Sequence, residues 1–220
     1  MDKGIFFLIK FGESEYMEKL HHEGEMLLQQ LKMFRKPIYN TQRRDIYEGF
    51  THIVQRCIPS ITIHNKAINN HYTPIIFDTR NDNPYIYCMC AINHTYLSHN
   101  NKSFIDSTCF ELGDTAVIIK NTFLFLDKVQ NYCIKNNYQI DSGHIKYIDF
   151  NKHNGKLNLF TKSKDYEHQS EYRLTINTHH THSTSLKIKL GNLSREGHSI
   201  ICKSYEIEKH LKQFFSYTTH

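Results

Sequence analysis

Phe160 to Ile176 reads FTKSKDYEHQSEYRLTI, and the interpretation of the whole chain turns on it. Lys162 and Lys164 come first, then Tyr166, and Tyr172, Leu174 and Ile176 alternate in the manner of a strand. Side chains on a strand point to opposite faces in turn, so this register puts Gln169, Glu171, Arg173 and Thr175 together on the other face. An amide, a carboxylate and a guanidinium along one strand face make a polar site. The same pattern also describes a charge ladder on a solvated face, the commoner use of such residues.

Working outward, strand-like and helix-like segments are interspersed. Ile5 to Phe11 is an apolar run ending at Gly12, and Ser14 opens a helix that Gly24 stops. Met26 to Phe34 fits a strand or a short helix, and Arg35 to Glu48 reads as a long polar loop. Gly49–Cys57, Ile61–His64 and Tyr72–Phe77 read as three strands separated by Pro59 and an Asn-rich turn. Tyr85 to Ile92 and Thr115 to Lys120 are buried strands, with a polar loop over His94 to Ser107. Asn121 or Thr122 caps a helix running to about Lys135. Ile145 to Phe150 is a strand, and Asn154-Gly155 predicts a hairpin that pairs it with Leu157 to Phe160. Leu186 to Leu190 is a short strand, and Tyr205 to Phe215 an amphipathic helix. These segments predict a single α+β domain spanning 1–220: a twisted mixed or antiparallel sheet covered by helices near 13–23, 122–136 and 204–216.

Composition narrows the chemistry. Hydrophobic residues make up only 39% of the 220, but 14 Tyr and 14 Phe supply the large side chains a core needs in the absence of Trp. The formal charge of +5, with 16 His in reserve, leans toward a polyanionic partner. Six cysteines, at 57, 88, 90, 109, 133 and 202, form no C-x-x-C pair. Free thiols in a cytoplasmic protein are the expectation. The opening apolar run is too short for a signal peptide or a membrane span.

Motif by motif, the alternatives stay open. His180 and His182 share one side of an extended segment but lack a nearby acid or thiol, so no metal is expected. Arg43-Arg44-Asp45 followed by Tyr47-Glu48-Gly49 could hold a phosphate-bearing ligand with Tyr47 stacked on a base, or could form an ion-paired surface loop. The chain has no phosphate-binding loop, dinucleotide fingerprint or nucleophile elbow.

Taken together, Leu8-Ile9-Lys10-Phe11, Gly24-Glu25-Met26-Leu27, Arg44-Asp45-Ile46-Tyr47-Glu48-Gly49, Tyr85 to Ile92, Lys146-Tyr147-Ile148 and Lys164…Tyr166…Gln169-Ser170-Glu171-Tyr172-Arg173 resemble an uncharacterised bacterial domain-of-unknown-function family with a late Glu-x-Glu-Tyr-Arg signature. Gln169 replaces the first acid of that signature. The layout is similar to that of small ADP-ribosyltransferase toxins. That likeness implies NAD as a substrate and a toxin or phage-defence role on a protein or nucleic-acid acceptor. It casts Glu171 as the catalytic carboxylate and Gln169 as the acceptor-side residue, with Lys10, Arg44, Tyr47 and Arg173 on the cofactor. Lys10 stands where such transferases usually carry Arg or His, and no Ser-Thr-Ser strand is present. A non-catalytic nucleotide- or nucleic-acid-binding module is the competing expectation, and a metal-independent nuclease a third.

Overall fold

The computed structural model describes residues 5–37, 44–63, 66–93, 103–178 and 183–216, without side-chain detail at 56–63, 66–73 and 196. Arg43, His180 and His182, and with them the possible metal pair, lie outside the described residues.

An α+β fold is observed, built on an antiparallel sheet of eight strands. The strands are β1 (Ile5–Gly12), β2 (Glu25–Gln30), β5 (Tyr85–Asn93), β6 (Thr115–Ile119), β7 (Gln139–His144), β11 (Glu171–Asn177), β12 (Ser185–Lys189) and β13 (Ser199–Lys203). Alternation on β1 and β6 serves two cores at once. Leu8, Val117 and Ile119 pack under α1 (Ser14–Glu23) and α2 (Thr122–Lys135) with Met17, Leu20, Phe125 and Val129. Phe7, Ile9, Ala116 and Ile118 pack with Ile207 and Leu211 of α3 (Ile207–Ser216) on the opposite face. A sheet apolar on both faces must be covered on both, and the three helices do so.

The caps follow local chemistry. Gly24 adopts a left-handed conformation (φ 64°) and donates its N–H to Leu20, and a Cβ there would lie 2.2 Å from the Gly191 carbonyl. Asn121 accepts the Leu124 N–H at 3.0 Å at the start of α2. Ser14 does not cap α1; the cap position is Glu13, and no side chain bonds there.

Three sequence expectations are corrected. The three strands expected between 49 and 77 are one long hairpin, β3 (His52–Ile63) against β4 (Lys66–Phe77), running through Pro59 and Asn69. Beyond Ile53 no described strand pairs with the other edge of β3, and a proline on a free edge costs no ladder bond. The hairpin expected at Asn154-Gly155 does not form. Its residues instead make β9 (Gly155–Lys156) beside β3, while β10 (Thr161–Ser163) runs parallel to β8 (Lys146–Ile148). Part of the reason is that the Asn154 side chain accepts the Gln55 N–H at 3.0 Å. Strand β11 begins at Glu171, because Lys164–Gln169 forms a 3-10 turn and Ser170 is left-handed (φ 43°).

The sheet forks at β5. One edge of β5 is paired without a break by β11 from Tyr85 to Cys90. The other edge is shared: β1 takes Cys90 to Asn93, and β2 takes only Tyr85 and Ile86. Tyr87, Cys88 and Met89 face the opening between them.

Candidate functional site

A cavity of about 330 Å³ occupies this fork. Lys10 of β1, Tyr87 of β5 and Tyr16 of α1 form its upper wall and Glu48, Lys162, Gln169 and Glu171 its polar floor, with Leu27 of β2 and Cys88 of β5 also lining it. Lys10 shares a face of β1 with Leu8, toward α1 and α2. Glu171 lies on the other face of β11, opposite Tyr172, Leu174 and Ile176. Residues on opposite faces of a closed sheet never share a pocket, and here the open fork brings them to one. The Lys10 ammonium donates to the Cys88 carbonyl at 2.8 Å and sits 4.2 Å from the centre of the Tyr87 ring. The lysine thus satisfies a carbonyl that the fork leaves without a strand partner.

The floor is a buried charge network. Arg173 has no accessible surface and donates to Glu171 from Nε (2.7 Å), to both Glu48 carboxylate oxygens (2.7 and 3.1 Å) and to the Leu159 carbonyl (2.6 Å). Lys162 donates to Gln169 at 2.8 Å and to Glu171 at 3.2 Å, and its ammonium lies 4.4 Å from the centre of the Tyr166 ring. The Glu171 N–H donates to the Tyr147 hydroxyl at 2.8 Å. The solvated ladder is therefore excluded: Glu171, at 3% exposure, and Arg173 are paired, but inside the protein. Burial opposes charge on Glu171, yet Arg173 and Lys162 outweigh it and hold the carboxyl well below its usual range. For Lys162, burial likewise works against the cation, and the charges of Glu171 and Glu48 overcome it and raise its pKa.

Asp45 completes the network as its surplus charge. The buried carboxylates and cations of the described residues, His21 apart, are Asp45, Glu48, Glu171, Lys162 and Arg173: three acids against two bases. Burial first, then the neighbouring Glu48, pushes the Asp45 carboxyl up to about 6. The loop carrying both acids is set by Gly49, whose φ of 67° and close approach to Leu31 (2.3 Å from a would-be Cβ) leave no room for a side chain.

Of the residues singled out in the sequence, Lys10, Gln169 and Glu171 line one cavity. Arg173 lies beneath it, its guanidinium committed to Glu48, Glu171 and Leu159. Tyr47 lines a second cavity behind the Asp45–Glu48 loop, and Arg44 lines neither, its carbonyl accepting from Tyr166 at 2.8 Å. Lys162 and Tyr147 carry the floor without having been singled out as site residues, and Glu48, noted only within a candidate phosphate-binding loop, serves instead as a partner of Arg173. The sequence marked Lys162 and Tyr147 only as members of motifs already noted, Phe160–Ile176 and Lys146-Tyr147-Ile148. Among the described residues, no group of three or more His, Cys, Asp or Glu is placed to hold a metal ion, and no helix is long and apolar enough to cross a membrane. No protein-family profile matches the chain, and neither the curated proteins nor the solved structures yield a significant match.

Proposed function

We propose that the fork cavity binds a nucleotide by its ribose and that the protein is an ADP-ribosyltransferase-like enzyme, passing ADP-ribose from NAD to a protein or nucleic-acid acceptor. The observation that carries this reading is the meeting of Lys10, Gln169 and Glu171 in one cavity walled by Tyr16 and Tyr87. At about 330 Å³ the cavity suits a nucleoside-sized group, at the small end of ordinary ligand sites. The reading rests on those three residues and not on Arg44, Tyr47 or Arg173.

In the reaction, the bond from ribose C1′ to nicotinamide breaks and nicotinamide leaves with the bonding pair. The acceptor's lone pair then forms the new bond to C1′, and its proton passes to water. Positive charge builds on the ribose between these events. Glu171 is a carboxylate held ionised and immobile, which is what preorganised stabilisation of such a charge requires. Each carboxylate oxygen accepts two hydrogen bonds, so pairing with Arg173, Lys162 and the Cys88 thiol still leaves capacity for one ribose hydroxyl. Gln169 beside it orients the acceptor, and Lys10 meets the phosphates at the wall.

The test is release of nicotinamide from NAD by the purified chain, with and without Glu171→Gln. Turnover lost by about 100-fold or more, with NAD still bound, supports the enzyme. A second reading, a nucleotide-binding module, is favoured by the engagement of both Glu171 oxygens in ion pairs. NAD bound but never consumed by the unaltered protein selects that module and ends the enzymatic reading.

A further inference from the structure

Behind the Asp45–Glu48 loop lies a second cavity, of about 520 Å³, bordered by Asp45, Tyr47, Asp149, Phe150, Asp165 and Tyr166. Its inner end is unusual. Asp45 is 2% exposed, and its Oδ1 accepts the Tyr47 N–H at 2.9 Å. Its Oδ2 is buried and accepts no hydrogen bond among the described residues. A buried carboxylate oxygen without a donor is costly and calls for a partner.

We propose that this cavity binds an organic monocation, a guanidinium or primary ammonium group, with Asp45 as its counter-ion. Three features fit that ligand. The buried network beneath it is one negative charge in excess, so a single added cation balances it. The walls are aromatic, with Tyr47 set edge-on to Phe150 at 6.0 Å between ring centres, and Tyr166 already has one cation, Lys162, near its ring. Aromatic faces with a nearby carboxylate suit an alkylated cation better than a bare ion. A metal ion would need several oxygen ligands converging at short range, and no such group exists among the described residues.

The charges around Asp45 are mixed. Asp149 and exposed Asp165 add attraction at the rim, and exposed Lys164 opposes it. From within, Glu48 raises the Asp45 pKa, while Lys162, the Tyr47 N–H and Arg173 lower it. Because the carboxyl titrates at about 6, the cation must compete with a proton below that pH. Affinity therefore falls as the solution is acidified from neutral. The proposal does not depend on the nucleotide reading, since a different cavity and a different ligand are measured.

The experiment is calorimetric titration of the full chain with butylamine and, separately, with N-acetyl-arginine amide, both monocations, at pH 7.5 and pH 5. Butylamine alone binding points to a free small amine, and binding of N-acetyl-arginine amide points to an arginine side chain within a polypeptide; either supports the site. Asp45→Asn keeps the acceptor for the Tyr47 N–H and removes the charge, and it should weaken binding by about tenfold or more. Binding by neither probe overturns the proposal, as does unchanged affinity in folded Asp45→Asn, or displacement of the amine by stoichiometric calcium. If Asp45→Asn does not fold, the unaltered protein decides: affinity equal at pH 7.5 and pH 5 overturns the site, and a clear loss at pH 5 supports it.

Discussion

Arg173 grips Glu48 across 125 residues of chain, Nη1 to Oε1 at 2.7 Å and Nη2 to Oε2 at 3.1 Å. This fork-to-fork pair ties β11 to the loop ending at Gly49, and it is fully shielded from water. A guanidinium can be kept there only because Glu48, Glu171 and the Leu159 carbonyl take its donors. The cavity floor and the stability of the fold are thus one structure.

Glu48→Gln keeps the shape of the side chain and removes its charge, leaving Arg173 and Lys162 facing one carboxylate fewer. Removing one partner of a buried pair costs about 3 kcal/mol or more. Urea denaturation should show a loss of that order, whereas Lys19→Ala, which breaks the exposed pair with Glu15, should leave the midpoint unmoved. Equal midpoints for Glu48→Gln and the unaltered protein would mean that the pair contributes nothing.

Stability against pH should carry two opposite signatures. The Asp45 pKa is raised from 3.8 to about 6, so between those values the folded state binds more protons than the unfolded one. This group makes the protein more stable as pH falls from 7 toward 4. Glu171 is lowered from 4.5, so its contribution is present above that value and is lost as pH falls below it. Burial lowers the His21 pKa and acts against Asp45 in the same window. The clean readout is therefore the difference between the unaltered protein and Asp45→Asn. That difference should shift in favour of the unaltered protein between pH 7 and pH 4, and a flat difference refutes the assignment.

Cys88, Cys90, Cys109, Cys133 and Cys202 are free thiols, and Cys57 lies where side chains are not described. Burial pushes Cys88 and Cys109 up to about 12 and Cys133 and Cys202 up to about 11. Since the thiolate is the reactive form, iodoacetamide at pH 7.5 should modify these four far more slowly than a free peptide thiol. Peptide mass mapping before and after denaturation measures it. Rapid native labelling of Cys88 would show that the fork opens to solvent.

If the fork cavity transfers ADP-ribose, Gln169→Ala should lower transfer to the acceptor more than hydrolysis of NAD to free ADP-ribose. Lys10→Met should raise the KM for NAD and leave kcat less affected, because the ammonium lies at the wall and not on the floor. Product analysis separates the two variants. Identical losses in both reactions for Gln169→Ala would remove that residue from the acceptor side.

Much of this architecture was legible in local chemistry. The short, nearly continuous apolar runs at Ile5–Phe11, Tyr85–Ile92 and Thr115–Lys120 named three central strands, because a strand covered on both faces needs apolar side chains at successive positions. Gly24 and Asn121 marked helix ends for reasons confined to a single turn. The alternation from Tyr172 to Ile176 also put Glu171 and Arg173 on the same face of β11. Sequence could not say that this face is buried, since exposure depends on Glu48, 125 residues away, and on how the preceding turn folds Lys162 and Leu159 back onto β11. The Asn154-Gly155 signal failed because a contact with Gln55, 99 residues away, outweighed a local turn preference. Above all, the meeting of Lys10 and Glu171 was beyond any periodicity. Strand pattern assigned them only to faces within their own segments. It took the parting of β1 from β2 along β5, a matter of which strands pair over which residues, to open one cavity to both faces of the sheet.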